Sequence, residues 1–439
     1  MIKVVKFGGS SLASAEQFRK VGDIIRADAD RRFVVPSAPG KRFSGDTKVT
    51  DLLYACYAQA EAGEDFSAKL AEIRARYDEI ITGLGLACDL TEEFAVIADN
   101  FAAKAGKDYA ASRGEYLNGK VMSAYLGFEF IDPAEAILFA EDGTFLSDET
   151  NVRMAARLAG CERAVIPGFY GALADGRVKT FSRGGSDITG SVVARALKAD
   201  LYENWTDVSG FLVADPNIVE NPEVVKLITY RELRELSYMG AAVLHEDAIF
   251  PVRRAGIPIN IRNTNKPEEP GTMIVQTTSK KARFTITGIA GKKGFVAVSV
   301  DKDMMNSQIG FCRKVLSVFE ENQISIEHMP SGIDTMSIFV HQDEFQEKEQ
   351  IVLSGIQRAV EPDVLEVEPD LALIAVVGRS MKEGRGIAGR IFSALGHAKI
   401  NIRMIDQGSS ELNIIIGVQN EDFERAIQAI YDIFILTQV

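Results

Sequence analysis

Over the first two thirds of the chain, apolar positions fall into two alternating rhythms. The apolar run at Val4-Val5 leads into a helical pattern over residues 15–27, and Phe33-Val34-Val35 follows. A glycine- and charge-rich loop comes next, then helical patterns as far as about residue 126. Residues 163–169 read as a strand, 189–199 as a helix and 201–205 as another strand. Strands alternating with helices predict an α/β fold, an open sheet covered by helices on both faces. Residues 266–271, with two prolines, read as a linker.

The last third carries a repeat. Residues 310–340 and 386–416 align without a gap. Val315, Leu316, Phe319, Ile324 and Ile326 pair with Ile391, Phe392, Leu395, Ile400 and Ile402, and Gly332 pairs with Gly408. Each copy reads as an amphipathic helix, a strand, a turn and a strand. An apolar strand precedes each (296–300 and 373–377) and a helix follows. That predicts a βαββαβ, ferredoxin-like unit present twice. Within the second copy, Gly384-Arg385-Gly386-Ile387-Ala388-Gly389 matches the G-x-G-x-x-G fingerprint. Only about 50 residues follow it, too few for a dinucleotide half-fold, and the sister copy lacks the motif.

A chain of 439 residues exceeds one ordinary core, so several domains are expected. The formal net charge of −13 argues against a nucleic-acid partner, while leaving room for a local basic pocket. Cys56, Cys88, Cys161 and Cys312 form no C-x-x-C pair, which speaks against a zinc site or a disulfide framework. No signal-peptide layout is evident and no apolar run is long enough to span a bilayer. A soluble cytoplasmic protein without a membrane partner is expected.

The chemistry concentrates at glycine turns. Lys6 ends the first strand and is followed by Gly8-Gly9-Ser10-Ser11 and a helix. Glycines let backbone N–H groups approach phosphate oxygens, and a lysine adds a compact cation. The spacing is not that of a Walker A loop, because the lysine precedes the glycines. A second turn, Ser182-Arg183-Gly184-Gly185-Ser186-Asp187, also leads into a helix. Its arginine offers a fork for carboxylate or phosphate. Its aspartate reads as a cap, as an orienting partner for Lys6, or as a magnesium ligand. Trp205-Thr206-Asp207-Val208-Ser209-Gly210 is a polar turn after a strand, and Glu115 reads as the opening of a helix.

Taken in order, K-F-G-G-S-S from Lys6, G-E at Glu115, S-R-G-G-S-D from Ser182 and W-T-D-V-x-G from Trp205 resemble the aspartokinases of the amino-acid kinase superfamily. Residues 238–245 resemble that family's G-A-K-V-L-H segment, and the repeat resembles its paired ACT domains. The resemblance spans essentially the whole chain. It implies transfer of the ATP γ-phosphoryl group to the β-carboxylate of L-aspartate, with Mg²⁺ and without a dedicated protein metal centre. The product, 4-phospho-L-aspartate, opens the lysine, threonine and methionine pathway. It implies Lys6 and Asp187 as catalytic residues. Lys6, Gly8, Gly9, Ser10, Gly184, Gly185, Thr206, Asp207 and Leu212 would face the nucleotide. Ser37, Thr50, Glu115, Arg183 and Ser186 would face aspartate. The implied domains are a kinase domain over 1–280, one ACT domain over 294–368, and a second formed by 284–293 with 369–439.

Two positions depart from the family pattern: Asn217 where arginine is common, and Ala242 where lysine is common. Both remove a cation from the nucleotide side. The paired ACT units imply amino-acid sensing and a homodimer or homotetramer. L-lysine is expected as effector ahead of L-threonine, at Met305, Ser307, Gly310, Phe311, Glu327 and Asp334. Glu327 and Asp334 are acids where the second copy has Arg403 and Ser410. Two other functions fit parts of the pattern: a non-catalytic amino-acid-sensing subunit, and a kinase for another acidic amino acid.

Overall fold

The computed structural model describes every residue except 183, 242–245, 280–283, 383 and 437–439. These residues form two compact units.

The first unit comprises Met1–Phe211, Val224–Tyr230 and Val243–Thr278. Its sheet has eight strands: β1 (Lys3–Phe7), β2 (Arg31–Pro36), β3 (Glu129–Phe130), β4 (Ala164–Val165), β5 (Leu201–Thr206), β6 (Leu227–Thr229), β7 (Ile259–Asn263) and β8 (Thr272–Val275). They lie in the order β6-β8-β7-β5-β1-β2-β4-β3. β1 runs parallel to both neighbours, β2 and β5. A parallel strand covered on both faces needs apolar side chains throughout, and Val4, Val5 and Phe7 are wholly buried. Lys6 alone interrupts that run. α1 (Ala15–Arg26) begins where the Ser14 side chain accepts from the Gln17 N–H, and it places Glu16 in its first turn and Arg26 in its last. α2 (Val49–Ala62), α3 (Ser67–Leu84) and α4 (Lys107–Leu126) share one core, in which Leu53, Cys56, Ile73, Tyr77, Leu117 and Val121 are buried.

Several expectations change here. The strand over 163–169 shrinks to Ala164–Val165, because Pro167 lacks a donor and Phe169 takes a left-handed φ of 83°. The helix expected from 189 begins earlier, as α5 (Gly185–Leu197). The proline-rich stretch 266–271 is not a linker but the loop joining antiparallel β7 and β8. Arg262 ties it down by donating to the Pro267 carbonyl at 2.6 Å.

The second unit comprises Leu212–Glu223, Arg231–Ala242 and Ser279–Val439. Its six antiparallel strands are β9 (Gly288–Asp301), β10 (Ile326–His328), β11 (Thr335–His341), β12 (Val364–Val377), β13 (Met404–Asp406) and β14 (Asn413–Gln419). Their order is β10-β11-β9-β12-β14-β13, so the two repeats lie side by side in one sheet. β9 and β12 run through both, and their register shifts around Gly294, a glycine with φ 87°. In the first repeat, Val296, Val298 and Val300 alternate inward against α7 (Phe311–Glu321) and α8 (Glu349–Val360). α9 (Ile387–His397) and α10 (Phe423–Tyr431) are the matching helices of the second.

The helix Tyr230–Tyr238 joins this unit from Arg231 onward. Its Glu232 is wholly buried and accepts from Thr287 Oγ1 at 2.5 Å, from the Arg379 N–H at 2.9 Å and from the Arg379 guanidinium. A buried carboxylate held in this way fixes the segment. The stretch 1–280 is therefore not one uninterrupted block.

Candidate active site

In an open α/β sheet, ligands bind beyond the carboxyl ends of the strands. Lys6 stands at that end of β1, level with Asn204 of β5. Its Nζ lies 2.7 Å from Asp187 Oδ1, and Asn204 Nδ2 donates to the same oxygen at 2.8 Å. Asp187, in the first turn of α5, thus pairs with the lysine, and the helix has no side-chain cap at Gly184. Gly8 donates to the Trp205 carbonyl at 3.0 Å. Gly9 then passes the turn after β2 so closely that a Cβ there would sit 2.8 Å from the Ala38 oxygen. The Gly40 N–H donates to the Gly9 carbonyl at 2.8 Å, locking the two turns together.

These turns enclose a cavity of about 590 Å³. Gly8, Gly9 and Ser10 line it from β1, Ser37 and Thr50 from the β2 side, and Thr206 and Asp207 from the end of β5. Glu115 also lines it, from the middle of α4 rather than from a first turn. Burial pushes the Glu115 carboxyl up to about 8, against the pull of the Ala38 and Glu115 backbone N–H groups and of the Lys6 and Arg113 charges. Its Oε2 has no hydrogen-bond partner among the described residues. A buried acceptor without a donor is a place for a ligand's donor.

The remaining predicted positions divide. Gly184 takes the left-handed cap of α5 with φ 58°, and Gly185 lies against Phe169. Ser186 is buried where Gly168 passes, with 2.5 Å between its side chain and a Cβ built there, and it does not line the cavity. Leu212 falls in the second unit. Arg183 and Ala242 lie outside the described residues. Asn217 binds Asp215 through its backbone and side-chain nitrogens, each at 2.9 Å.

Of the effector positions, Met305 and Phe311 are buried, Ser307 donates to the Met304 carbonyl at 2.8 Å, and Gly310 caps α7 with φ 81°. Asp334 is exposed in the turn beside the end of β9, its carbonyl accepting from the Lys302 N–H at 2.8 Å. Glu327 already has partners of its own. Ile326 packs against the core, and the β10–β11 register shifts between Ile326 and His328, which leaves Glu327 at an irregular point of the strand. There it accepts from the Tyr238 hydroxyl at 2.7 Å and faces His341 Nε2 at 3.3 Å.

The sequence reading missed several residues. Asn204 was visible as a buried amide inside a strand pattern. Asn118, one turn beyond Glu115, donates to the Ser37 carbonyl at 2.6 Å. Lys41 and Lys48 line the cavity from the loop noted only as glycine- and charge-rich. Among the described residues no group of three or more His, Cys, Asp or Glu side chains could hold a metal ion. None of their helices is long and apolar enough to cross a membrane.

The model of the amino acid kinase family matches residues 1–263, and that of the ACT domain matches residues 374–434. The chain is 41% identical to aspartokinase 3 of Bacillus subtilis (strain 168), over 99% of this chain and 98% of that protein. It superposes on Clostridium acetobutylicum aspartate kinase, an allosteric enzyme, with a TM-score of 0.89 at 51% identity, covering 99% of each chain. E. coli aspartokinase III is 26% identical. Its R-state complex with aspartate and ADP gives a TM-score of 0.72 over 99% of each chain. Its T-state complex with lysine and aspartate gives 0.70, over 98% of this chain and 99% of that one.

Proposed function

The chain belongs to the aspartokinases of the amino acid kinase family, and from that premise we infer how its residues carry out the reaction. It is an aspartate kinase with ACT-type regulation. The observation that carries the site assignment is the buried, unpartnered Glu115 Oε2 in the same cavity as the Gly8–Ser10 turn.

Glu115 takes the α-ammonium of aspartate, and Arg183 grips its α-carboxylate. Ser37 and Thr50 border the side-chain carboxylate. The Gly9 and Ser10 N–H groups and Lys6 receive the phosphates beside Gly8, whose own N–H is held by Trp205, and Asp187 with Asn204 holds Lys6 in line. A β-carboxylate oxygen then attacks the γ-phosphorus, and the bond to the β-phosphate oxygen breaks. ADP leaves with that electron pair. The attacking carboxylate is already ionised, so no general base is needed. Catalysis consists of in-line positioning and charge neutralisation.

Mg²⁺ fits the donor set. Asp207 and Thr206 present hard oxygens to the cavity, and a cation that keeps several waters needs few protein ligands. When bound, it neutralises phosphate charge. Asp207 and Thr206 would hold its shell, and Asp187, engaged by Lys6 and Asn204, is left to its orienting role.

Repeat-wise pairing in the second unit supports one ACT domain over 294–368, inserted into a second built from 284–293 and 369–439. L-lysine is the proposed effector, near Met305, Ser307, Gly310, Phe311, Glu327 and Asp334, and ACT pairing the proposed route to a cytoplasmic homodimer or homotetramer. One coupled assay of ADP release tests the set. L-aspartate should support turnover where L-glutamate and N-acetylglutamate do not, and L-lysine should inhibit where L-threonine does not. Turnover with glutamate instead, or with none of the three, overturns the substrate assignment.

A further inference from the structure

We propose that Lys41 and Lys48 form a two-lysine clamp on the terminal phosphate of the nucleotide; this rests on reading the Gly8–Ser10 cavity as the kinase site. Both lysines line that cavity. They stand at the two ends of one loop, whose neck closes where the Val49 N–H donates to the Pro39 carbonyl at 3.2 Å. Lys41 directly follows Gly40, which bonds the Gly9 carbonyl, so the loop is tied to the phosphate turn itself.

The loop is held from beneath by Arg76, which is only 4% exposed. Its guanidinium donates to the Gly40 carbonyl at 2.9 Å and to the Thr47 carbonyl at 3.1 Å, the residues next to Lys41 and Lys48. It also meets Asp46 at 3.1 Å, and Arg42 reaches Asp46 at 2.9 Å. The loop's one acid is therefore already engaged by two arginines. Lys41 and Lys48 have no ion-pair partner among the described residues, whereas Lys6 is bound to Asp187. The result is a braced frame presenting two unpaired cations to a cavity whose glycine turn suits phosphate.

The reaction itself asks for such cations. It brings a carboxylate against a phosphoryl group, and the crowded charge is greatest at the terminal phosphate. Lys6 neutralises it from the sheet side, and Lys41 with Lys48 does so from the loop side. Glu115 serves the amino-acid end, which leaves the pair to the nucleotide end.

The test uses Lys41→Met, Lys48→Met and the double substitution, which keep the side-chain length and remove the charge. Calorimetry with ADP and with AMP-PNP, each with Mg²⁺, reads the terminal phosphate by difference. Each substitution should weaken AMP-PNP binding about tenfold. ADP affinity and the KM for aspartate should be retained. Equal losses for ADP and AMP-PNP, a loss confined to aspartate, or no loss at all would overturn the clamp. Lys6→Ala is run alongside. If Lys6→Ala also leaves nucleotide binding and turnover intact, the cavity reading has failed. If Lys6→Ala is crippled while the loop variants behave as wild type, only the clamp has failed.

Discussion

Glu115 keeps its proton at neutral pH because the helix, the turn and the strand around it exclude water without supplying enough donors. An ammonium arriving at Oε2 favours the carboxylate. At neutral pH the free protein holds the proton, and a bound ammonium would pull the carboxyl down again, so binding should release it. The KM for aspartate should fall as pH rises toward 8 and then level off. Calorimetry at pH 7 in buffers of different ionisation enthalpy should read close to one proton released per aspartate, and none for Glu115→Gln. Lys6→Ala should lower kcat by about 10²–10³ with the fold retained, the usual consequence of losing one stabiliser of developing charge. A purified variant keeping most of its kcat would remove Lys6 from the phosphate site. Lys6 was legible because a lysine that interrupts an apolar strand before two glycines needs a reason. Glu115 was read in the wrong place for an equally physical cause. Glu115 was expected to open a helix, yet the helix runs straight through it and through Gly114 beside it. A Cβ there would sit 2.8 Å from the Ala38 side chain, so the glycine serves the close passage of the neighbouring turn.

At the scale of elements, the site is a crossing of two loops without room for side chains. A Cβ on Gly40 would lie 2.6 Å from the Gly9 carbonyl carbon and 2.7 Å from the Ser10 nitrogen, whereas one on Gly45, in the same loop, meets nothing nearer than 3.9 Å. Gly40→Ala should cost about 1–3 kcal/mol of stability by overpacking and should raise the KM for ATP. Gly45→Ala should do neither. Denaturant melts with paired kinetics decide this, and equal behaviour of the two variants would refute the crossing. Such contacts between loops distant in sequence leave no periodicity, which is why Gly40, Arg76 and Asn118 went unread while the strands and helices did not. The misread linker has a related cause. Pro267 and Pro270 mark a break in regular structure, but only pairing across the break shows that it is a loop within one sheet.

For the whole molecule, the proposed effector site and the chemistry lie in different compact units, so effector variants should separate regulation from turnover. Asp334→Ala should weaken inhibition by L-lysine about tenfold or more, on the loss of one charge-assisted contact, and leave kcat without lysine unchanged. Inhibition curves for wild type and variant decide it, and superimposable curves would free Asp334 of the role. The repeat was readable because its apolar spacing recurs, but its sharing of one sheet was not, since that sharing depends on β9 and β12 running through both copies. That continuity sets an order in time during synthesis. Residues 288–293 leave the ribosome before the entire first repeat, yet their strand partner, residues 371–377, comes after it. At cellular elongation rates the interval is on the order of ten seconds. For that time the early segment is a strand edge with nothing beside it, open to pairing with another chain. Lys292 and Lys293 sit within it, and lysines are the side chains that blunt an unpaired strand edge against another chain.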